Sequence, residues 1–194
     1  MAFGKGWCDV FRIEDVRPAA ERLVAEMRPA CRQIAIAGSV RRGCAEVGDM
    51  EIVAEPILTQ TTDMFEGPGP ALPLELAEVI ARLVRRGGLR IGDKFGPRYK
   101  KLWVPIDGQL PCIQLDLFIV LPPAQFGPQM VIRTGPASFS KRFVTLRRHG
   151  GLMPSHLREK DGCIWDGERA LETPTEASVF QALGMKWIEP EARI

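Results

Sequence analysis

Asp49 and Glu51 stand two residues apart in an apolar run, VGDMEIVA, and Asp116 interrupts another, IQLDLFIVL. Residues i and i+2 of a strand project from the same face, so Asp49 and Glu51 form a carboxylate pair on one side of a sheet. A charge at Asp116, between Leu115 and Leu117, is costly in an apolar strand unless it is paired or bound to a cation. With Leu115, Leu117 and Ile119 facing a core, Asp116 faces away from it. Two neighbouring strands would then present all three carboxylates to one point. Three hard oxygen donors suit Mg²⁺ or Mn²⁺. A pair of such ions, about 3.5–4 Å apart, activates an attacking hydroxyl and stabilises a leaving pyrophosphate.

The residues just before the acids complement them. Gly38-Ser39 closes an apolar run, and Gly38 lets a ligand approach the backbone. Ser39 offers a hydroxyl and a backbone N–H, and a short helix opening there would favour a phosphate. Arg41 and Arg42 add planar, permanently charged donors. G-S-x-R-R-G followed by D-x-E is a far more specific pattern than either half alone.

These residues need a sheet to hold them. Apolar positions Val16, Ala20, Leu23, Val24 and Met27 predict a helix over Asp15 to Arg28, with Pro18 in its first turn and Pro29 ending it. Ile34 to Ala37 and Met50 to Ala54 read as strands. Residues 55–71, rich in Pro, Gly and Thr, read as a long surface loop. A helix marked by Leu74, Ala77, Val79, Ile80 and Val84 stops at Gly87-Gly88. Leu89–Ile91, Leu102–Val104 and Ile113–Leu121 are further strand candidates. Beyond Pro123, Ser138 to Arg148 reads as a helix and Asp166-Gly167 as a hairpin turn. Thr173-Pro174-Thr175-Glu176 reads as a helix start capped by Thr173. The order predicts an α+β fold with a mixed sheet, and residues 1–11 form a lead-in.

Composition narrows the class. At 194 residues with 45% hydrophobic and 26% charged residues, the chain can bury a real core. Its five cysteines are scattered without C-x-x-C spacing, which predicts reduced thiols and an intracellular protein. No apolar run predicts a membrane span, and the N-terminus lacks a secretory h-region. His149 and His156 have no partner at ligand spacing. The net charge of +2 is modest, but Arg82 to Lys101 holds eight basic residues and one acid, Asp93. Arg133 to Arg158 holds six basic residues and no acid. Clustered charge of this kind is a footprint for phosphate backbones. Trp7, Trp103, Trp165 and Trp187 read as core or contact residues rather than base-stacking platforms.

GSVRRGCAEVGDMEIV resembles the signature of the nucleotidyltransferase superfamily, and within it of the family X DNA polymerases, relatives of DNA polymerase β. LDLFIV resembles the third acidic strand of that family, and KFGPRYKKLWV the strand before it. RTGPASFSKRF resembles its threonine-glycine segment and nucleotide-facing helix. The tail from Gly151 through TPTEASVFQALGMKWIEPEAR resembles its terminal subdomain.

The resemblance implies a nucleotidyltransferase palm over residues 1–130 and a small α/β nucleotide-side subdomain over residues 131–194. It implies a DNA polymerase that adds deoxynucleotides to a primer 3′ end in gap-filling repair or replication. Asp49, Glu51 and Asp116 would be the catalytic, metal-binding triad for two Mg²⁺ or Mn²⁺ ions. Gly38, Ser39, Arg42, Gly48, Thr134, Gly135, Phe139 and Ser140 would bind the nucleoside triphosphate. Arg98, Lys100, Lys101, Lys141, Arg147 and Arg148 would contact primer-template or gapped DNA. Arg12 aligns loosely as a further phosphate contact. A monomer is expected, with no membrane partner. Glu51 stands where relatives usually have Asp, and Ile132-Arg133 where they often have an aromatic pair. Gly135-Pro136 admits a cis bond. Two other readings fit the same residues: transfer to another acceptor or without a template, and a non-catalytic DNA-end or nucleotide-binding module.

Overall fold

The computed structural model describes residues 10–63, 67–106 and 109–194. The lead-in expected over residues 1–11 lies mostly outside them, as do Trp7 and Cys8.

The first elements are β1 (Phe11–Arg12), α1 (Ile13–Met27), β2 (Cys31–Ala37), α2 (Gly38–Arg41), β3 (Glu46–Val47) and β4 (Asp49–Pro56). Next come β5 (Thr59–Asp63), β6 (Gly67–Leu72), α3 (Leu74–Arg85), β7 (Arg90–Phe95), β8 (Tyr99–Ile106) and β9 (Gln109–Ile119). The terminal part holds α4 (Phe126–Thr134), α5 (Ala137–Val144), β10 (Leu157–Lys160), β11 (Cys163–Asp166), β12 (Arg169–Ala170) and α6 (Glu176–Ala182).

The central sheet has five strands in the order β2-β4-β9-β8-β7. β4 and β9 run parallel and the other pairs antiparallel, so the sheet is mixed as expected. Alternation decides its faces. Met50, Ile52, Ala54, Leu102, Val104, Ile113, Leu115 and Leu117 are buried in one core with α1 and α3. α1 supplies Val16, Ala20, Leu23, Val24 and Met27 to it, at helical spacing. α3 ends in a Schellman motif: Gly87 has φ +77°, and the Gly88 N–H donates to Leu83 O at 2.9 Å. On the opposite face, α4 covers Ala37, Val53 and Val120 with Phe126 and Met130. A third core joins Val131, Phe139, Phe143, Met153, Leu157, Ile164, Val179, Phe180 and Leu183 in the terminal part. α4 thus contributes to two cores.

Several local expectations are corrected. The loop over residues 55–71 contains the β5–β6 hairpin, whose ladder forms despite Gly and Pro because both strands lie outside the main sheet. α4 lies where no helix is expected; Pro128 sits in its first turn, where its missing N–H has no intrahelical partner. α1 begins at Ile13, so Pro18 lies in its second turn. The helix expected to Arg148 ends at Val144, followed by a 3₁₀ turn at Arg147–His149. The α6 cap is Thr175, in a reciprocal box with Ser178. Thr173 is buried instead and donates to Gln125 Oε1 at 3.1 Å. The last hairpin turns at Gly167-Glu168, because Asp166 still pairs with Arg169. The cis peptide is Pro122-Pro123, not Gly135-Pro136.

Candidate active site

Strand register gathers the acids. Glu51 on β4 lies directly beside Asp116 on β9, and Asp116 beside Lys101 on β8. One step along, Asp49 lies beside Gln114, and Gln114 beside Trp103. Directly paired residues share a face. Asp49, Glu51 and Asp116 therefore stand together on the face away from the α1–α3 core, as their spacing predicted.

Their carboxylates do not converge. Among the described residues, no three His, Cys, Asp or Glu side chains are gathered as a ready metal cluster. Asp116 Oδ1 accepts from Tyr99 Oη at 2.8 Å and from Gln114 Nε2 at 2.9 Å, which turns it toward β8. Glu51 leans the other way, onto the Cα of Gly38. Gly38 has φ +61°, and a Cβ there would overlap the Glu51 carboxylate. The left-handed φ favours glycine, and a side chain there would push the Glu51 carboxylate aside.

The electrostatics suit a cation. Burial, then the neighbouring charge of Asp49, pushes the Glu51 carboxyl up to about 7; the nearby Arg133 and Arg42 pull the other way. Burial and Asp116 raise Asp49 as well. Burial and neighbouring like charge both make a carboxylate bind its proton more readily than usual. By chemistry the donor set, three hard carboxylates, fits a divalent cation such as Mg²⁺, but their oxygens are not gathered around one point here.

The Gly38–Gly43 turn lies against this row. α2 has four residues, too short to act as a phosphate site through its dipole. Its side chains matter more. Ser39 Oγ is buried with no hydrogen-bond partner. Arg42 Nη1 donates to Thr134 O at 2.6 Å, and Arg41 Nη1 to Thr134 Oγ1 at 2.7 Å. Arg41 also pairs with Glu176, whose other oxygen accepts from Arg193 Nη1 at 2.6 Å. Arg41 was expected to meet phosphate; its guanidinium is used to hold the terminal part onto the turn. Arg41, Glu176 and Arg193 form a network that links α2, α6 and the last residues of the chain.

Other expected site residues fall differently. Phe139 is 3% exposed, in the terminal core, and Thr134 is fully buried, so neither presents a surface to a nucleotide here. Ser140 Oγ donates to Ile132 O at 2.6 Å. Gly135 packs on the Phe139 ring, while Gly48 has open space where a Cβ would stand. Arg98 donates to the carbonyls of Leu121 and Pro122 at 2.5 and 2.7 Å, and Lys100 to Gly96 O at 2.9 Å. Arg147 donates to the carbonyls of Leu152 and Leu183. These three cations brace backbone. Lys141 and Arg148 are exposed, as is Arg12, which pairs with Glu14 at 2.8 Å. Lys101 is half-buried beside Asp93 at 3.4 Å.

Three site residues escaped the sequence reading. Arg133 lies over the Phe118 ring at 3.8 Å, and its Nε is buried without a partner. Tyr99 and Gln114 hold Asp116. Counting two residues either way from Asp116 finds Gln114 and Phe118, but Tyr99 and Arg133 arrive from other elements. A cleft of about 510 Å³ beside Asp116 is lined by Tyr99, Phe118, Arg133, Lys94, Arg98 and Gln129, among others.

Residues 131–194 match the family model described as DNA polymerase beta thumb. The matched stretch is under half of the chain, and the carboxylate strands lie outside it. The match makes the terminal part similar to a DNA polymerase beta thumb and points to a polymerase-related protein. The fold is α+β. No described helix is long and apolar enough to cross a membrane. Among the described residues Cys31, Cys44, Cys112 and Cys163 are free.

Proposed function

We propose that the chain is a family X-type DNA polymerase, which adds a deoxynucleotide to the 3′ end of a primer in gap filling. The observation that carries this reading is the in-register pair Glu51 and Asp116, flanked by Asp49, on two parallel strands ahead of a polymerase-like terminal part.

Each residue has a role in that reaction. The 3′-hydroxyl oxygen attacks the α-phosphorus of the incoming triphosphate, the α–β P–O bond breaks, and pyrophosphate leaves. Asp116 receives the hydroxyl proton, once its carboxylate is released from Tyr99 and Gln114. Ser39, Arg42 and the open backbone at Gly48 bind the triphosphate; the unpartnered Ser39 Oγ supports this, since a buried hydroxyl without a partner is costly. Asp49, Glu51 and Asp116 would hold two Mg²⁺ or Mn²⁺ ions. When bound, these would lower the proton affinity of the hydroxyl and stabilise the leaving pyrophosphate.

Primer extension tests the reading. Gapped duplex, single-stranded DNA and RNA acceptors are each supplied with deoxynucleotides or ribonucleotides and Mg²⁺ or Mn²⁺. Incorporation on gapped DNA is expected. Incorporation on none of them would refute the proposal, and incorporation on RNA alone would move the chain to another acceptor class.

A further inference from the structure

β8 carries a row of side chains of which the carboxylate site uses only Tyr99. Tyr99, Lys101 and Trp103 stand at i, i+2 and i+4 of one strand, so they share a face. Register fixes which face it is: Tyr99 lies beside Phe118, Lys101 beside Asp116, and Trp103 beside Gln114. This is the carboxylate face. The opposite face of β8, with Leu102 and Val104, packs into the core with α1. Trp103 is only partly covered.

The strip is aromatic, cation, aromatic. The Lys101 ammonium lies 5.6 Å from the Trp103 ring centroid. Arg90 on the edge strand β7 is paired with Trp103 in register, and it is exposed. Tyr99 borders the cleft beside Asp116, where Lys94, Arg98 and Arg133 add positive charge. From Tyr99 to Trp103 the strip runs about 13 Å, long enough for a few nucleotides of an extended strand. Aromatic residues on an open sheet face, set among cations, suit unpaired bases better than duplex. Bases splayed from a single strand offer their π-faces, and the cations meet the backbone.

We propose that the Tyr99–Lys101–Trp103 face of β8, with Arg90 beside it, is a stacking strip for the unpaired 3′-terminal stretch of a DNA strand. Trp103 stacks on a base upstream of the terminus, and the terminus lies in the cleft at Asp116. Placing the 3′ end at Asp116 rests on the polymerase reading; the strip itself does not.

The test is equilibrium binding of a 5′-labelled duplex with an unpaired 3′ extension, and of the matching blunt duplex. Both are followed by fluorescence anisotropy without nucleotide or divalent ion. Trp103→Ala is expected to weaken binding of the extended duplex about tenfold, the loss of one base–aromatic stack, and to change the blunt duplex by less than about twofold. Trp103→Phe keeps most of the affinity. Equal weakening of both duplexes, or of neither, overturns the proposal. Should Trp103→Ala fail to fold, 2-aminopurine placed in the extension reports on the wild-type protein. Quenching on binding upholds the strip, and an unquenched probe overturns it. A wild-type protein that binds the extension through Trp103 yet incorporates nothing upholds the strip and sinks the polymerase reading. Incorporation without Trp103-dependent binding does the reverse.

Discussion

Arg193 and Glu176 form an ion pair of 2.6 Å, and both side chains are almost closed to solvent. Glu176 opens α6, and Arg193 is the penultimate residue of the chain. The second oxygen of Glu176 holds Arg41 in α2. One carboxylate thus pairs with two guanidinium groups and ties the terminal part to the turn beside the acids. Removing one partner of such a pair leaves the others buried and uncompensated.

Glu176→Ala is therefore expected to destabilise the protein by about 3–5 kcal/mol, as read by urea unfolding. Glu176→Gln keeps some hydrogen bonds and should cost less. A loss below about 1 kcal/mol, the range of an exposed pair, would show that the network is not closed off.

At Gly38 two constraints coincide, a left-handed φ of +61° and contact with Glu51. Gly38→Ala should cost about 1–3 kcal/mol from backbone strain alone. It must also displace the Glu51 side chain. Loss of divalent-ion binding, measured by calorimetry, should accompany the loss of stability. A variant of unchanged stability and ion affinity would contradict the packing of Gly38 on Glu51.

How much of this was legible depended on the range of the signal. Alternation in LDLFIV placed Asp116 on the face away from the core without any structure. The G-S-x-R-R-G and D-x-E spacing put a turn against the carboxylate strand. Both signals lie within a few residues. The roles of Arg41 and Glu176 were not legible, because their partners are 135 positions apart in the chain. Nothing local separates an arginine that meets a ligand from one that meets a distant glutamate. The face that Trp103 occupies was not legible for a related reason: its neighbours in sequence are apolar, and only strand register shows that it shares a face with Asp116. α4 carries Gly127-Pro128, a pair that disfavours a helix interior but that a helix first turn tolerates.

The raised proton affinity of Glu51 gives the metal-free protein a definite pH response. Its carboxyl lies at about 7 in the folded state against an ordinary 4.5. The folded protein thus holds this proton more tightly than the unfolded chain. Between these values the folded state binds more protons, so stability falls as pH rises through this window. Glu51→Gln removes the penalty. It should be more stable than wild type above pH 7, by on the order of 1–3 kcal/mol, and the gain should fade toward pH 4.5. Thermal unfolding across that range measures it. Mg²⁺ should shrink the difference by stabilising the charged carboxylate. A gain independent of pH would point to packing rather than charge.

The central claim is that the carboxylate row on β4 and β9 carries nucleotidyl transfer. Single-turnover incorporation of one deoxynucleotide on gapped DNA, wild type against Asp116→Ala with Mg²⁺, tests it most directly. Incorporation by wild type is expected, with a fall of about a hundredfold to ten-thousandfold in the variant and DNA binding retained. Equal rates for the two proteins would contradict it.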